Sequence, residues 1–317
     1  MELDILLRQV DDKNAIIQYR HTVLKETKKG TKLSGTPPEL VDAANRAGEK
    51  VVVPPVQFVR QPGLGDRLFA VAAVHRYKQI HNEVDCWFEG KKGDTWLDWV
   101  PFIKHGVNEK AITVVNFDNV PANAGDRASY MASCIGVKLE SIKFPIKVPG
   151  KVSPPIPSPY YVFVPFSSRR GPRSLPLDVV NEFTRRVKHS VALIDVLPCE
   201  VEGDHIFNMT SQVGLEEIFG LIRNSEGVIS VDTGPLYIAE LLDKPAVGLF
   251  THVPPRDRVL CAEKMVGIDS PATCAPCGDL IGQSPPCHFR DPIPACIKYY
   301  SAEFLLYMLE EMVSLSG

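Results

Sequence analysis

The stretch GVISVDTGPLYIAELLDKPAVGLF (residues 227–250) decides the fold, because it holds two apolar runs separated by a helical pattern. Residues 228–231 are rich in β-branched side chains and too few for a helix, so they predict a strand in a sheet covered on both faces. Residues 236–242 then have helical spacing, and residues 246–250 form another strand-like run. Together these segments predict a βαβ unit with parallel strands.

The first strand of this unit ends in Asp232-Thr233-Gly234-Pro235. Pro235 suits the first turn of a helix, where its missing N–H would have no partner, and Asp232 or Thr233 can cap that helix. Ligands of open α/β sheets bind at the carboxyl ends of the strands, and a helix N-terminus beside a glycine offers N–H groups to an anion. The turn is therefore expected either to hold a phosphorylated ligand or only to cap the helix.

The rest of the chain repeats this alternation of strands and helices on both sides of a proline-rich run near residues 149–159. Such a run favours an extended connection and marks the predicted domain boundary. We predict strands at 56–60, 84–88, 111–117, 161–166 and 191–197, and helices at 66–80, 128–135, 177–188, 215–224 and 301–315. The expected parts are an N-terminal extension (1–50), two Rossmann-like domains (51–150 and 151–300) and a C-terminal helix (301–317).

The composition is that of a soluble globular protein, with 317 residues, 44% of them hydrophobic and 23% charged. A net charge of −3 gives no global reason to expect a nucleic-acid or membrane partner, although a local basic patch stays open. No apolar run approaches the length of a membrane span, and the residues after Met1 do not have the pattern of a signal peptide. We therefore expect a cytoplasmic protein without a transmembrane segment.

Four of the eight cysteines form the pattern C-x2-C-x9-C-x8-C, in a loop rich in proline and glycine. This spacing suits a tetrahedral thiolate site, so structural zinc is a candidate, although no cofactor is expected to be required. Reduced structural thiols, or a disulfide formed outside the cytosol, are the alternatives. The four residues are Cys274, Cys277, Cys287 and Cys296.

The first predicted βα turn, QPGLGDRLFA (residues 61–70), places a carboxylate at the start of a helix. It does not fit a dinucleotide-binding turn, because Asp66 stands where a carboxylate would repel a phosphate. Gly63 and Gly65 would instead let a substrate approach closely, and Asp66 can accept a proton from a hydroxyl. The alternative is that Asp66 only caps its helix.

The corresponding turn of the second half is VPFSSRRGPRSLP (residues 164–176). Ser167 and Ser168 offer hydroxyls, while Arg169, Arg170 and Arg173 offer forked donors that match phosphate oxygens. A solvated surface loop is the alternative interpretation.

Taken together, the two halves predict a diphosphate site in the second domain, with Asp66 facing it across a cleft. Thr233 and Gly234 would add their amides to this site. The chain contains no D-x-D sequence, so arginine and the helix terminus would stabilise the leaving group in place of a carboxylate-held metal ion.

These motifs resemble the signatures of a known family. Residues 56–78 resemble the amino-terminal signature of the family 9 glycosyltransferases, the ADP-heptose:lipopolysaccharide heptosyltransferases, and residues 227–257 resemble the carboxy-terminal one. Residues 164–176 are similar to the donor-binding loop of the family, and the cysteine cluster also resembles one found in its members. The similarity extends from Val51 to the end of the chain.

The resemblance implies an α/β protein of the GT-B fold, with two Rossmann-like domains facing across a cleft and the final helix packing back towards the N-terminal domain. It implies inverting, metal-independent transfer of a sugar, heptose or another hexose-like one, from a nucleoside diphosphate to a hydroxyl of a glycan or glycolipid. Asp66 matches the catalytic base and Asp232 a residue that contacts the donor sugar. The remaining donor-binding positions are Ser167, Ser168, Arg169, Arg173, Thr233, Gly234 and Pro235.

The chain departs from the pattern of the family at two positions. Arg173 stands where a lysine is usual, and Tyr237 stands where a histidine is usual. Two other functions stay open beside the enzyme. One is a catalytically inactive module that binds sugar nucleotides, and the other is the same enzyme acting on a protein or on a modified nucleic-acid base.

Overall fold

The computed structural model describes most of the chain from residue 55 onward. The described residues are 55–59, 63–81, 84–89, 95–108, 113–115, 127–149, 156–167, 173–201, 203–258, 263–273, 275 and 295–316. The expected extension 1–50 lies outside them. The described residues divide into two units by their contacts, and residues Gly63–Leu68 group with the second unit rather than with the first.

The second unit is built on a six-stranded parallel sheet with the order β10-β9-β8-β5-β6-β7. The strands are β5 (Tyr160–Val164), β6 (Ser190–Leu193), β7 (Ile206–Asn208), β8 (Gly227–Val231), β9 (Ala246–Phe250) and β10 (Met265–Asp269). The helices are α3 (Leu177–Arg186), α4 (Leu215–Asn224), α5 (Gly234–Leu241), α6 (Ala295–Lys298) and α7 (Ala302–Ser316).

The central strands of this sheet are buried along their whole length. Every residue of β5, β8 and β9 is buried, which is the pattern of parallel strands covered on both faces. The edge strands β7 and β10 are partly exposed. The opening prediction of a βαβ unit is confirmed, because β8 and β9 pair in parallel with Val228 opposite Ala246.

The first unit is built on a four-stranded parallel sheet with the order β3-β2-β1-β4. The strands are β1 (Val56–Val59), β2 (Cys86–Glu89), β3 (Ile103–His105) and β4 (Thr113–Val115), with the helices α1 (Leu64–Ile80) and α2 (Arg127–Cys134) and a 3₁₀ turn (Thr95–Trp99). β1 lies between β2 and β4, with Val56 opposite Cys86 and Thr113. Helix α1 is shared, because its first turn groups with the second unit.

The C-terminal helix α7 packs within the second unit. Leu305, Leu309 and Met312 are buried in the same core as β5, β8 and α3. This core anchors the helix on its own unit, and the expected packing of α7 towards the N-terminal domain stays a prediction. The predicted domain boundaries stay predictions as well.

Several short elements were absent from the sequence expectations, namely the 3₁₀ turn, β3, β7, β10 and α6. Strands β3 and β7 have three residues each, so neither forms a run long enough to show a period. The predicted strand 191–197 ends earlier, at Leu193, because Asp195 binds its own neighbouring amide at Val196 and leaves the sheet. Within the part of the chain that the structure describes, no helix is long and apolar enough to span a membrane.

Candidate functional site

The candidate site lies where the strand order of the second sheet reverses. From β5 the chain moves outward through β6 and β7, whereas β8, β9 and β10 extend in the opposite direction. β5 and β8 pair directly, with Val164 opposite Ser230, so their carboxyl ends lie side by side. Ligands of open α/β sheets bind at such a reversal, and Ser167 and Arg173 follow β5 while Asp232 follows β8.

Arg173 joins the two strand ends. Its guanidinium Nη2 donates to the carboxylate Oδ2 of Asp232 at 3.0 Å and to the main-chain oxygen of Asp232 at 2.5 Å. The side chain of Asp232 is 9% exposed and that of Arg173 is 29% exposed, so this ion pair is largely shielded from water. A charge-assisted contact of this kind is stronger than a neutral hydrogen bond and fixes the guanidinium in one plane.

Tyr237, in the second turn of α5, holds the other carboxylate oxygen of Asp232. Its hydroxyl donates to Oδ1 at 2.5 Å, and the residue is buried. Burial raises the pKa of Tyr237 well above its ordinary value, and the neighbouring Asp232 carboxylate raises it further. The hydroxyl therefore stays protonated and acts as a donor throughout the neutral range.

Arg258 adds a second cation beside this group, and it is more deeply buried than Arg173. It follows the 3₁₀ turn Pro255–Asp257, is 7% exposed, and donates to the main-chain oxygen of Asp257 at 3.0 Å. Its positive charge opposes the rise in the pKa of Tyr237, as does the charge of Arg173. The sequence analysis did not single out Arg258. The only signal was its position next to the residues 227–257 that carry the carboxy-terminal signature.

Two polar atoms of the site are buried without a partner among the described residues. They are the hydroxyl oxygen of Ser167 and the Nε atom of Arg173. The main-chain N–H of Ser167 donates to the hydroxyl of Ser174 at 3.0 Å, which ties Ser167 to the residue next to Arg173. A buried polar group without a partner is costly, so both atoms suit a bound oxygen ligand.

The turn after β8 does not cap its helix through a side chain. Thr233 occupies the N-cap position in an extended conformation, and Pro235 lies in the first turn as expected. No side-chain capping hydrogen bond is made by Thr233, and the Asp232 carboxylate binds Arg173 and Tyr237 instead. The interpretation of this turn as a helix cap alone is therefore not supported by its contacts.

The first turn of α1, with Asp66, packs against this turn inside the second unit. A Cβ added at Gly234 would lie 2.7 Å from Leu64 Cδ2, and one added at Gly65 would lie 2.9 Å from Tyr237 Cδ2. Both approaches are closer than real side-chain carbons show, so a side chain at either position would force its neighbour to shift. Asp66 follows directly, and its Oδ2 lies 2.8 Å from the position that a Cβ of Gly63 would take.

Two predicted donor-site residues and three of the four clustered cysteines cannot be placed. Ser168 and Arg169 lie outside the described residues, as do Cys274, Cys277 and Cys287. Cys296 is buried in a small cluster with Ala272 and Ile297. No group of metal ligands occurs within the described segments of the chain.

Part of the second unit matches a known family in sequence. Residues 183–281 match the sequence profile of glycosyltransferase family 9 (heptosyltransferase). This range contains β8, the Asp232 turn, α5 and β9. No curated protein sequence matches the chain.

Three solved structures share the fold at low sequence identity. The iron-containing dodecameric glycosyltransferase TibC from enterotoxigenic E. coli H10407 is 14% identical with a TM-score of 0.64, over 83% of this chain and 77% of that one. The family 9 glycosyl transferase from Veillonella parvula DSM 2008 is 10% identical with a TM-score of 0.55, over 82% and 97%. E. coli ADP-heptose LPS heptosyltransferase II is 11% identical with a TM-score of 0.52, over 82% and 99%.

The family match and the shared fold confirm the predicted resemblance to the family 9 glycosyltransferases and the GT-B fold class. The predicted class of enzyme, a glycosyltransferase, is confirmed with them.

Proposed function

We propose that this family 9-like glycosyltransferase transfers a heptose or another hexose-like sugar, with inversion, from a nucleoside-diphosphate donor to a hydroxyl acceptor. The observation that carries the proposal is the Arg173–Asp232 contact at the reversal of the second sheet, together with the unpartnered Ser167 hydroxyl and Arg173 Nε. A diphosphate offers oxygens for both atoms. The acceptor would be a glycan or glycolipid bound through the first unit.

In this proposal the second unit stabilises the departing diphosphate. Arg173 supplies a permanent charge and forked donors, the Ser167 hydroxyl supplies a further donor, and the N-terminus of α5 faces the same edge of the sheet. Donors fixed in advance stabilise charge as it develops in the transition state, which is where they accelerate the reaction. Ser168 and Arg169 belong to the same loop and are proposed to complete the donor site.

Asp66 is proposed as the general base. It would accept the acceptor hydroxyl's proton while that oxygen attacks the anomeric carbon and the bond to the diphosphate breaks. Gly63 and Gly65 precede Asp66 in the same turn, and they are proposed to let the backbone of this turn come close to the acceptor. A positioned base of this kind contributes about 10²- to 10⁴-fold to the rate.

Adenosine diphosphate is the first candidate for the nucleotide part of the sugar donor. TibC has been solved in complex with ADP-D-β-D-heptose, and that structure resembles this chain with a TM-score of 0.61 at 13% identity. We would measure binding of ADP, GDP, UDP and CDP by calorimetry, and then sugar transfer from the matching heptose and hexose derivatives.

Binding of one diphosphate, weakened in Arg173→Ala and retained in Arg185→Ala, is the expected result. Arg185 is a suitable control because it is an exposed arginine of α3 that pairs with Glu182. Absence of binding to any diphosphate by the folded protein would overturn the proposal. Donor binding without transfer to any acceptor tried, and without donor hydrolysis, would favour the inactive binding module.

A metal ion could have a structural role at the cysteine cluster without taking part in sugar transfer. We propose that the transfer itself proceeds without a divalent ion, because two arginines and a helix terminus can carry the charge of the leaving group. Four cysteines are a donor set that suits zinc or iron, and TibC is an iron-containing protein. Elemental analysis of the purified protein, with and without a chelator, would identify a structural metal, and transfer activity in EDTA would test the metal independence of the reaction.

A further inference from the structure

Tyr237 makes two contacts at once, one with its hydroxyl and one with its ring. The hydroxyl donates to Oδ1 of Asp232 at 2.5 Å. The ring lies against Gly65, where an added Cβ would be 2.9 Å from Cδ2 and 3.1 Å from Cε2. A buried residue with both contacts has little freedom to move, so its hydroxyl is held in a fixed place.

The carboxylate of Asp232 has a donor on each oxygen. Tyr237 occupies Oδ1, and Arg173 Nη2 occupies Oδ2. The terminal torsion of an aspartate is broad, so a carboxylate with a contact on one oxygen only can still rotate. The Tyr237 hydroxyl removes this freedom and sets the direction in which Oδ2 meets Arg173.

The orientation of Arg173 depends in turn on Asp232. Nη2 contacts both Oδ2 and the main-chain oxygen of Asp232, and the guanidinium is planar, so fixing Nη2 also fixes the direction of Nε. Nε is buried and has no partner among the described residues. It is therefore presented in one orientation to whatever binds at this strand end.

We infer that Tyr237 is a positioning residue for the donor diphosphate, acting through Asp232 on Arg173 without contacting the donor. This inference rests on the proposed function, since it assigns the diphosphate to the Arg173 site. It also gives Asp232 a task besides the donor-sugar contact that the resemblance implies, namely to hold Arg173 in one orientation. The position where the family usually has histidine thus retains a hydrogen-bond donor in this chain.

A core residue that only fills space would behave differently from a positioning residue. Tyr237→Phe keeps the ring against Gly65 and removes only the hydroxyl. Tyr160→Phe is the matched control, because Tyr160 is also buried in the second unit and its hydroxyl donates to the main-chain oxygen of Leu221 at 2.8 Å. Tyr237→His tests rescue, since an imidazole N–H can again donate.

The experiment is a double-mutant cycle on the full chain, with ADP, GDP, UDP and CDP as the probes and calorimetry as the readout. We expect Tyr237→Phe to weaken binding of the preferred diphosphate about tenfold, the size expected for loss of a hydrogen bond to a charged group. In an Arg173→Ala background the same change is expected to alter affinity by less than about twofold, because Tyr237 acts through Arg173. Tyr237→His should recover part of the loss, and Tyr160→Phe should bind as the wild type does.

Equal losses in the wild-type and Arg173→Ala backgrounds, or an unchanged affinity in Tyr237→Phe, would overturn the inference while leaving the proposed function intact. The thermal unfolding of each variant shows whether it is folded before binding is measured. Failure of the wild-type protein to bind any of the four diphosphates is a distinct result that overturns the proposed function itself.

Discussion

Arg173 and Asp232 are 59 positions apart in the sequence, and the guanidinium of one donates to both the main-chain oxygen and the carboxylate of the other. The contact links the ends of two neighbouring strands across the point where the strand order reverses. It places a positive charge at the expected ligand edge and simultaneously neutralises a buried carboxylate. Loss of either partner should therefore affect both stability and ligand binding.

Arg173→Ala should lower the free energy of unfolding by roughly 2–3 kcal/mol, because it leaves Asp232 with one charged partner fewer in a shielded position. Arg173→Lys keeps the charge without the fork, so we expect a smaller loss of stability and an intermediate donor affinity. Urea unfolding with and without the preferred nucleoside diphosphate measures both effects. Equal stability of the alanine variant and the wild type would show that the contact is not formed in solution.

Asp66→Asn should reduce the turnover number about 10²- to 10⁴-fold if the carboxylate is the general base, since an amide cannot accept the proton. Donor affinity should change by less than about twofold, because the proposed donor contacts lie elsewhere. Steady-state kinetics with calorimetry of donor binding separates the two. Asp85→Asn is the control, since Asp85 is a half-exposed carboxylate paired with Lys104, and full activity in Asp66→Asn would remove the catalytic role.

Gly65→Ala should destabilise the protein by about 1–3 kcal/mol, the usual cost of overpacking. The added methyl group would meet the Tyr237 ring at 2.9 Å, and that ring is itself buried. Thermal unfolding of the single variant gives the loss. The double variant Gly65→Ala with Tyr237→Leu should recover part of it, because a leucine has no ring at that place, and a purely additive double variant would contradict the proposed contact.

Acidification should weaken the ion pairs of Asp243 with Lys143 and Lys264, which lie in another part of the second unit. Hydrogen bonds from Lys143 and Lys264 hold the pKa of Asp243 below its ordinary value of 3.8. Because the folded pKa is the lower one, this carboxylate stabilises the fold fully above its unfolded pKa, and the contribution is lost as the pH falls towards the folded pKa. The side chain is 46% exposed, so solvent screening limits the effect to under about 1 kcal/mol.

Asp243→Asn should therefore be less stable than the wild type at pH 6, and the difference should shrink below about pH 4. Urea unfolding at a series of pH values measures this convergence. If the difference in unfolding free energy stayed constant down to pH 3, the ion pairs of Asp243 with the two lysines would not be its cause.

The sequence predicted the architecture of the site better than its internal contacts. The runs 228–231 and 246–250 are buried strands as expected, because short, mainly apolar runs without polar alternation reflect burial on both faces. The proximity of the Arg173 loop to the Asp232 turn was also expected, since both segments were predicted to come after strands of one parallel sheet. The shared direction of such strands brings their carboxyl ends together.

The roles of Tyr237 and Arg258 could not be predicted in the same way. Tyr237 lies in the apolar sequence PLYIAELL, where an aromatic residue is the normal content of a buried helix, and nothing in its spacing shows where its hydroxyl points. Arg258 becomes buried through tertiary packing after a 3₁₀ turn. Hydrogen bonds that join residues from different elements depend on side-chain directions, which periodicity does not encode.

The second unit takes in Gly63–Leu68, a piece of chain that comes long before the rest of it. A chimera assembled by joining two relatives at the proline-rich run would therefore take the proposed donor half from one parent and the Leu64 and Gly65 contacts from the other. Exchange of donor specificity between relatives should succeed only when the graft carries two separated stretches of sequence. The structural unit that must be exchanged is thus discontinuous in sequence, and its smaller segment, Gly63–Leu68, contains the proposed catalytic residue Asp66.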